Sequence, residues 1–203
     1  MKPVARYLLL GSIAENSLRR ELIVADTAKR RLLRLQLPAD TELEVPTYLD
    51  LENASPTNDI DPARPEQIRA TTMRRISRPP KPKLVAAVLD DLAQTEELPP
   101  LFLPGPSVAY ARFEAAFPSV VSLALHDPIL EPQLDGKLLL GFLWHGQRHH
   151  LPLTKELASR FDVNTSVGGR KWKLVRDGIP SYAVAAYSAP FEGYCKKWIV
   201  ALY

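Results

Sequence analysis

Residues 137–153 read KLLLGFLWHGQRHHLPL, which is two largely apolar segments on either side of His145-Gly146-Gln147. Glycine adopts a positive φ at little cost, so a glycine between two such segments is typical of a β-hairpin turn. Similar apolar or alternating runs predict further strands at residues 7–14, 21–26, 30–37, 119–125, 182–187 and 196–203, with a short strand within 43–51. We therefore expect a mainly β protein with a minor helical part.

Prolines interrupt the whole chain, with 19 prolines against 9 glycines in 203 residues. Because proline fixes φ and lacks an N–H, this composition favours short strands over a helix bundle. Helices are predicted for residues 83–98, where apolar side chains recur at helical spacing, and for residues 107–117. Irregular insertions into a β fold are the alternative for both segments.

The sequence Pro79-Pro80-Lys81-Pro82 is the best candidate for a domain boundary. Consecutive prolines form a stiff, extended connection that neither a helix nor a central strand accommodates. The chain is thus divided into residues 1–80 and residues 81–203. We expect two separable or loosely coupled units, with the helix at residues 83–98 packed against one of them.

The composition indicates a globular, cytoplasmic protein with no membrane partner. Hydrophobic residues make up 46% of the chain, and the net charge is only +3. Cys195 is the single cysteine, so no intramolecular disulfide forms, as is usual in a reducing compartment. The apolar run at residues 7–14 is short and followed by Glu15, which favours a first strand over a signal peptide. No apolar stretch approaches the roughly 20 residues that span a bilayer.

None of the candidate chemical groups forms a recognisable catalytic or metal-binding pattern. His145, His149 and Cys195 could converge, but their spacing matches no zinc motif. Cys195 is more typical of a buried small hydrophobe than of a nucleophile. Residues 166–171 contain two glycines before Arg-Lys but lack the spacing of a phosphate-binding loop. We expect no catalytic residue, no metal and no cofactor.

Basic residues give the better functional signal. Arginines cluster in the first half of the chain, and cations alternate with aromatic residues in the second. Single-stranded nucleic acids are held by phosphate neutralisation and base stacking. The predicted phosphate contacts are Arg30, Arg31, Arg34, Arg74, Arg75, Arg78, Lys171, Lys173, Lys196 and Lys197, and the predicted stacking residues are Trp144, Trp172 and Tyr194. The alternative, which the sequence leaves open, is ordinary solvated faces with Trp172 and Trp198 in the core.

Short motifs at both ends of the chain resemble the bacterial dual OB-containing domain family. In the first half they are residues 14–17, 20–25, 31–34 and 64–67, and in the second half residues 137–142, Gly146, 150–154 and 190–197. The resemblance spans nearly the whole chain. It implies two small OB-like barrels, at residues 1–80 and 81–203, with one or two peripheral helices, one of them a helical insertion in the second barrel. The family that the chain resembles has no established catalytic activity, so the resemblance also implies a non-catalytic protein.

The function expected from these observations is non-catalytic binding of RNA or single-stranded DNA. The protein would act as an accessory subunit, together with a protein partner, in a larger bacterial complex. Because OB barrels also serve as protein-docking platforms, a protein–protein adaptor is the alternative. An enzyme acting through the His/Cys cluster is a third, weaker interpretation.

Overall fold

The computed structural model describes residues 4–14, 19–38, 43–57, 61–76, 78–95, 103, 105–113, 117–133, 135–161 and 180–203. The first half, up to residue 76, contains only strands in its described part. They are β1 (Val4–Ala14), β2 (Arg19–Asp26), β3 (Arg31–Pro38), β4 (Thr47–Glu52), β5 (Ser55–Pro56), β6 (Gln67–Arg69) and β7 (Thr72–Ile76).

The second half begins with a helix and continues mainly with strands. Its elements are α1 (Pro82–Asp91), β8 (Ser107–Ala109), a 3-10 turn (Tyr110–Arg112), β9 (Val120–Ala124), β10 (His126–Pro132), β11 (Leu138–Trp144), β12 (Gln147–Pro152), α2 (Lys155–Ala158), β13 (Tyr182–Tyr187) and β14 (Tyr194–Leu202).

The strands form three curled sheets. The first half forms a seven-stranded sheet in the order β5-β6-β3-β2-β1-β4-β7. The second half forms a three-stranded sheet, β10-β11-β12, and a four-stranded sheet, β8-β14-β13-β9. Nearly all neighbouring strands are antiparallel, and the β3–β6 pair is parallel. The prediction of a mainly β fold built from small barrels with few helices is confirmed.

The two halves of the chain are joined by a shared hydrophobic cluster. One apolar cluster lies within the seven-stranded sheet, and a second belongs mainly to the second half. A third cluster, which we call the central cluster, takes residues from both halves and from α1. Its buried members are Leu8, Leu10, Ile13, Ile23, Ala25, Leu32, Val85, Leu89, Val120, Val184, Ala186, Val200 and Ala201. The sheets therefore divide near residues 79–82, whereas the hydrophobic packing continues across that point.

Gly11 lies at a close approach between β1 and β14. A Cβ atom at this position would lie 2.8 Å from the backbone oxygen of Val200, which is closer than real Cβ atoms approach. Only glycine lets the two backbones pack at this distance. The β1 ladder also shifts register between Leu9 and Gly11, where it meets β2. The sequence of β1 is thus adapted to contact with the second half.

Several predicted elements agree with the structure. The hairpin has His145 and Gly146 at its turn, with φ of 47° and 77°, and β13 spans the predicted residues 182–187. The helix predicted at 107–117 is wrong, because residues 107–109 pair with β14 as β8 and the 3-10 turn follows. The helix predicted at 83–98 ends at Asp91, since Ala93 and Gln94 bond to Ser122 on β9. Residues 96–98 lie outside the described residues.

Candidate nucleic-acid interface

A groove lies between the β11–β12 hairpin and β14, with the segment before β8 along one side. Its volume is about 810 Å³. Its lysine, arginine and carboxylate lining consists of Lys137, Arg148, Lys196 and Asp135, so three of these four charged residues are cationic. The remaining lining residues are Leu103, Gly105, Pro106, Ser107, Gln133, Leu139, His149, His150, Leu151, Pro152 and Trp198.

Strand β14 contributes to the groove because its side chains alternate between two environments. Cys195, Lys197 and Ile199 are fully buried, whereas Lys196 is exposed and Trp198 is half-buried. Successive strand residues point to opposite faces, so Lys196 and Trp198 share a face. Trp198 packs partly against the central cluster and also lines the groove. The groove therefore combines a cation with part of an indole ring.

The hairpin supplies most of the other cationic groups. Arg148 on β12 forms an ion pair with Asp127 and donates a hydrogen bond to the Asp127 carbonyl at 3.3 Å. His150 lies 3.4 Å from a carboxylate oxygen of Glu131. Among the described residues no ion pair involves Lys196, so its charge is available to a bound anion.

The arginines of the first half are held by carboxylates. Arg30 lies 3.1 Å from Asp91 on α1, and Arg31 lies 3.6 Å from Asp26. Arg75 pairs with Glu44. Each of these three side chains remains partly exposed, but each already has an anionic partner. These arginines are therefore weaker candidates for phosphate contacts than the arginine clusters in the sequence led us to expect.

Asp50 is shared by two of the exposed arginines. Arg6 on β1 and Arg74 on β7 lie 3.1 and 3.3 Å from its two carboxylate oxygens. The Arg6 hydrogen bond is the main cause that lowers the pKa of Asp50, and the Arg74 hydrogen bond adds to it. Asp50 therefore stays ionised and offsets part of the positive charge at this edge of the sheet. Arg78 is exposed beyond β7.

Three predicted contact residues are buried, so the structure corrects these assignments. Trp144 packs in the core of the second half, and the side chains of Arg34 and Lys197 have no exposed surface. Lys197 donates a hydrogen bond to the carbonyl of Leu103, and burial lowers its pKa to about 8. A residue enclosed in this way does not reach a nucleic acid. Lys171, Trp172 and Lys173, and the loop at 166–171, lie outside the described residues.

Arg34 instead connects the two halves of the chain. Its guanidinium pairs with the buried carboxylate of Glu21 on the neighbouring strand. It also donates hydrogen bonds to the backbone carbonyls of Tyr187, at 2.9 Å, and of Ser119. A buried arginine is tolerated only when its charge and N–H groups are compensated in this way. Arg34 is therefore a structural residue.

A second polar connection lies beside it. The carboxylate of Glu66 accepts hydrogen bonds from the backbone N–H and the hydroxyl of Ser119, both at 2.6 Å. Arg64 lies 2.9 Å from Asp61, whose other oxygen accepts a hydrogen bond from the Tyr110 hydroxyl at 3.0 Å. Arg34 and the segment 64–67 both belong to the motifs that carry the family resemblance. These motif residues thus hold the two halves together.

Cys195 lies in the hydrophobic core of the second half. Burial raises the pKa of its thiol to about 11. A protonated, enclosed thiol is a poor nucleophile. In the described part of the chain, no three His, Cys, Asp or Glu side chains are grouped so that they could hold a metal ion.

No family model and no curated protein matches this chain. None of the helices in the described ranges is long and apolar enough to cross a membrane.

Sequence reasoning missed most of the groove. Lys137, Arg148, His149, His150 and Trp198 were not predicted as binding residues, although Lys196 was. One signal was available in the sequence. Because side chains alternate between the two faces of a strand, Tyr194, Lys196 and Trp198 are predicted to share one face, and Cys195 and Lys197 the other. The approach of the hairpin to β14 is a tertiary feature that the local sequence does not contain.

Proposed function

We propose that this chain is a non-catalytic protein that binds single-stranded nucleic acid, RNA or DNA, in the groove between β12 and β14. Lys137, Arg148 and Lys196 would contact phosphates, and the exposed part of Trp198 would stack on a base. We further propose that it works in the bacterial cytoplasm as an accessory subunit of a larger complex. The resemblance to the dual OB-containing domain family supports this last part.

The observation that carries the proposal is a cationic groove with an aromatic side chain in its wall. Phosphates require positive charge, and unpaired bases require a flat apolar surface. In the described lining, three lysine or arginine side chains face one carboxylate. Asp135 is already paired with Lys137. Arg148 is likewise paired with Asp127, so among the described residues the uncompensated positive charge of the groove is that of Lys196.

Several arginines of the first half form ion pairs with carboxylates, which indicates that this half contributes less to phosphate binding. An arginine in an exposed ion pair must leave its carboxylate, or share it, before it binds phosphate. Lys137 and Arg148 in the groove are paired in the same way, with Asp135 and Asp127, whereas Lys196 has no such competitor among the described residues. The proposal therefore moves the main contact surface from the arginine-rich first half to the second half.

The adaptor function remains the second candidate, and one observation favours it. Phe191 and Tyr194 are large apolar residues that are 68% and 55% exposed. Exposed aromatic residues are also common at protein–protein interfaces. The adaptor interpretation gives no role to the cationic lining of the groove, which is why we rank it second.

A matched pair of charge reversals tests the proposal. Lys196→Glu places a negative charge in the groove, and Lys83→Glu makes the same change at an exposed position on α1. Fluorescence anisotropy with labelled oligouridylate and oligothymidylate at low salt should show weaker binding for Lys196→Glu and unchanged binding for Lys83→Glu. If neither oligonucleotide binds the unmodified protein, or both variants lose affinity equally, the proposal is wrong.

A further inference from the structure

The turn before β14 presents two aromatic side chains next to the groove. Phe191 and Tyr194 form a β-bridge, with reciprocal backbone hydrogen bonds of 2.8 and 3.0 Å. Glu192 and Gly193 between them have φ of 50° and 80°, which are the left-handed values of a tight two-residue turn. The backbone that carries both rings is therefore held in one conformation although the rings themselves are exposed.

Tyr194 lies on the same face of β14 as the groove residues Lys196 and Trp198. Residues two apart on a strand share a face and lie about 6.6 Å apart, so Tyr194 and Trp198 are separated by about 13 Å with Lys196 midway. The order along this face is aromatic, cation, aromatic. A single strand of nucleic acid presents bases and phosphates in the same alternation.

The neighbouring strand leaves this face open. Tyr194 pairs with Ala109 on β8, and Lys196 pairs with Ser107. Directly opposed residues in an antiparallel pair project to the same side of the sheet. Because alanine and serine are small, neither the Tyr194 ring nor the Lys196 ammonium is covered by its cross-strand neighbour.

We propose that the binding track continues from the groove along β14 to Tyr194, where a second base stacks, and ends at Phe191. This inference rests on the proposed function and adds a direction and a length to it. Lys196 would neutralise a phosphate between the base on Trp198 and the base on Tyr194. The exposure of both turn aromatics is then explained by one ligand rather than by an unspecified contact.

A length series tests the track. We would measure the affinities of labelled oligouridylates of about two to about eight nucleotides. These lengths bracket the lower end of the roughly 4–16 nucleotides that one OB barrel covers. For the unmodified protein, affinity should rise with length until the track is filled. In Tyr194→Ala the longer oligonucleotides should lose about tenfold in affinity while the shortest lose little, because only the longer ones reach this position.

Two further variants control this experiment. Tyr194→Phe should keep the affinity, since stacking needs the ring and not the hydroxyl. Leu84→Ala, a truncation of an exposed apolar side chain on α1, should have no effect at any length. An unchanged length dependence in Tyr194→Ala would overturn the track while leaving the groove in place. A complete absence of oligonucleotide binding by the unmodified protein would overturn both the track and the proposed function.

Discussion

The guanidinium of Arg34 on β3 donates a hydrogen bond of 2.9 Å to the backbone carbonyl of Tyr187 on β13, although 153 residues separate them in the sequence. The same side chain pairs with Glu21 and reaches the carbonyl of Ser119. One buried charge thus links the seven-stranded sheet to the four-stranded sheet of the second half.

Removing this side chain should be strongly destabilising. Arg34→Ala removes the ion pair to the fully buried carboxylate of Glu21, and Arg64 is 3.8 Å from the other oxygen of that carboxylate. Breaking a buried ion pair on one side costs about 3–5 kcal/mol. The free energy of unfolding from urea titrations should fall by this amount. Arg30→Ala, which removes an exposed ion pair, should cost less than about 1 kcal/mol.

A double substitution distinguishes the charge from the packing. If the cost of Arg34→Ala comes from the lost ion pair with Glu21, then Arg34→Met combined with Glu21→Leu should lose much less stability than the two single substitutions added together. Additive losses would show that the pair is not coupled, contrary to our description.

The central cluster predicts that the chain unfolds as one cooperative unit. Leu8 and Leu10 of the first half belong to the same buried cluster as Val184 and Val200 of the second. Neither half can bury these residues alone. Thermal unfolding followed by circular dichroism and by tryptophan fluorescence should give one coincident transition. Two resolved transitions, or a stably folded fragment 1–80, would support the loosely coupled units that the proline-rich sequence predicted.

Lys197 predicts a specific pH dependence of stability. Burial lowers its pKa to about 8 in the folded chain, against about 10.4 for a lysine in water. Between these values the unfolded chain binds more protons than the folded chain. Raising the pH through this window therefore increases the free energy of unfolding, by a few kcal/mol at most.

The difference between two proteins isolates this effect from other titrating groups. Lys197→Met removes the titrating amine, so the stability of the unmodified protein should rise relative to this variant between about pH 8 and pH 10. The control is the same comparison with Lys196→Met, a change at the exposed neighbouring position. The stability of the unmodified protein should show no such rise relative to Lys196→Met. A constant difference between unmodified protein and Lys197→Met across this range would contradict the burial of a charged amine.

Local patterns predicted the most apolar strands and missed β5, β6, β7, β8 and β10. They predicted the role of individual cations poorly. The alternation in β3 places Arg34 on the other face of the strand from Leu33 and Leu35. By itself this pattern predicts an exposed arginine. The second half of the chain covers that face, through residues 85 and 153 positions away. No local pattern carries this information. Hydrophobic alternation therefore identified the strand, whereas tertiary packing decided whether its cation was exposed.

The groove was hidden for a similar reason. The hairpin at 137–153 was predicted from its turn and apolar segments, and β14 from its apolar end. Their proximity follows from packing, including the bridge between Leu153 and Ile199. Arg148 and Lys196 face one groove only because of this contact. Strand β10 was also missed, since Pro128 and three charged or imidazole side chains weaken its apolar pattern.

The salt dependence of oligonucleotide binding tests the central claim most directly. Each phosphate contact with a single strand contributes about 0.7 to the slope of log affinity against log salt concentration. Anisotropy titrations over a range of salt should give a linear decrease for the unmodified protein. Lys196→Glu should weaken binding and lower the slope by at least about 0.7, with Lys83→Glu unchanged. Binding that is absent at low salt, or a slope that Lys196→Glu leaves unaltered, would contradict nucleic-acid recognition in the groove.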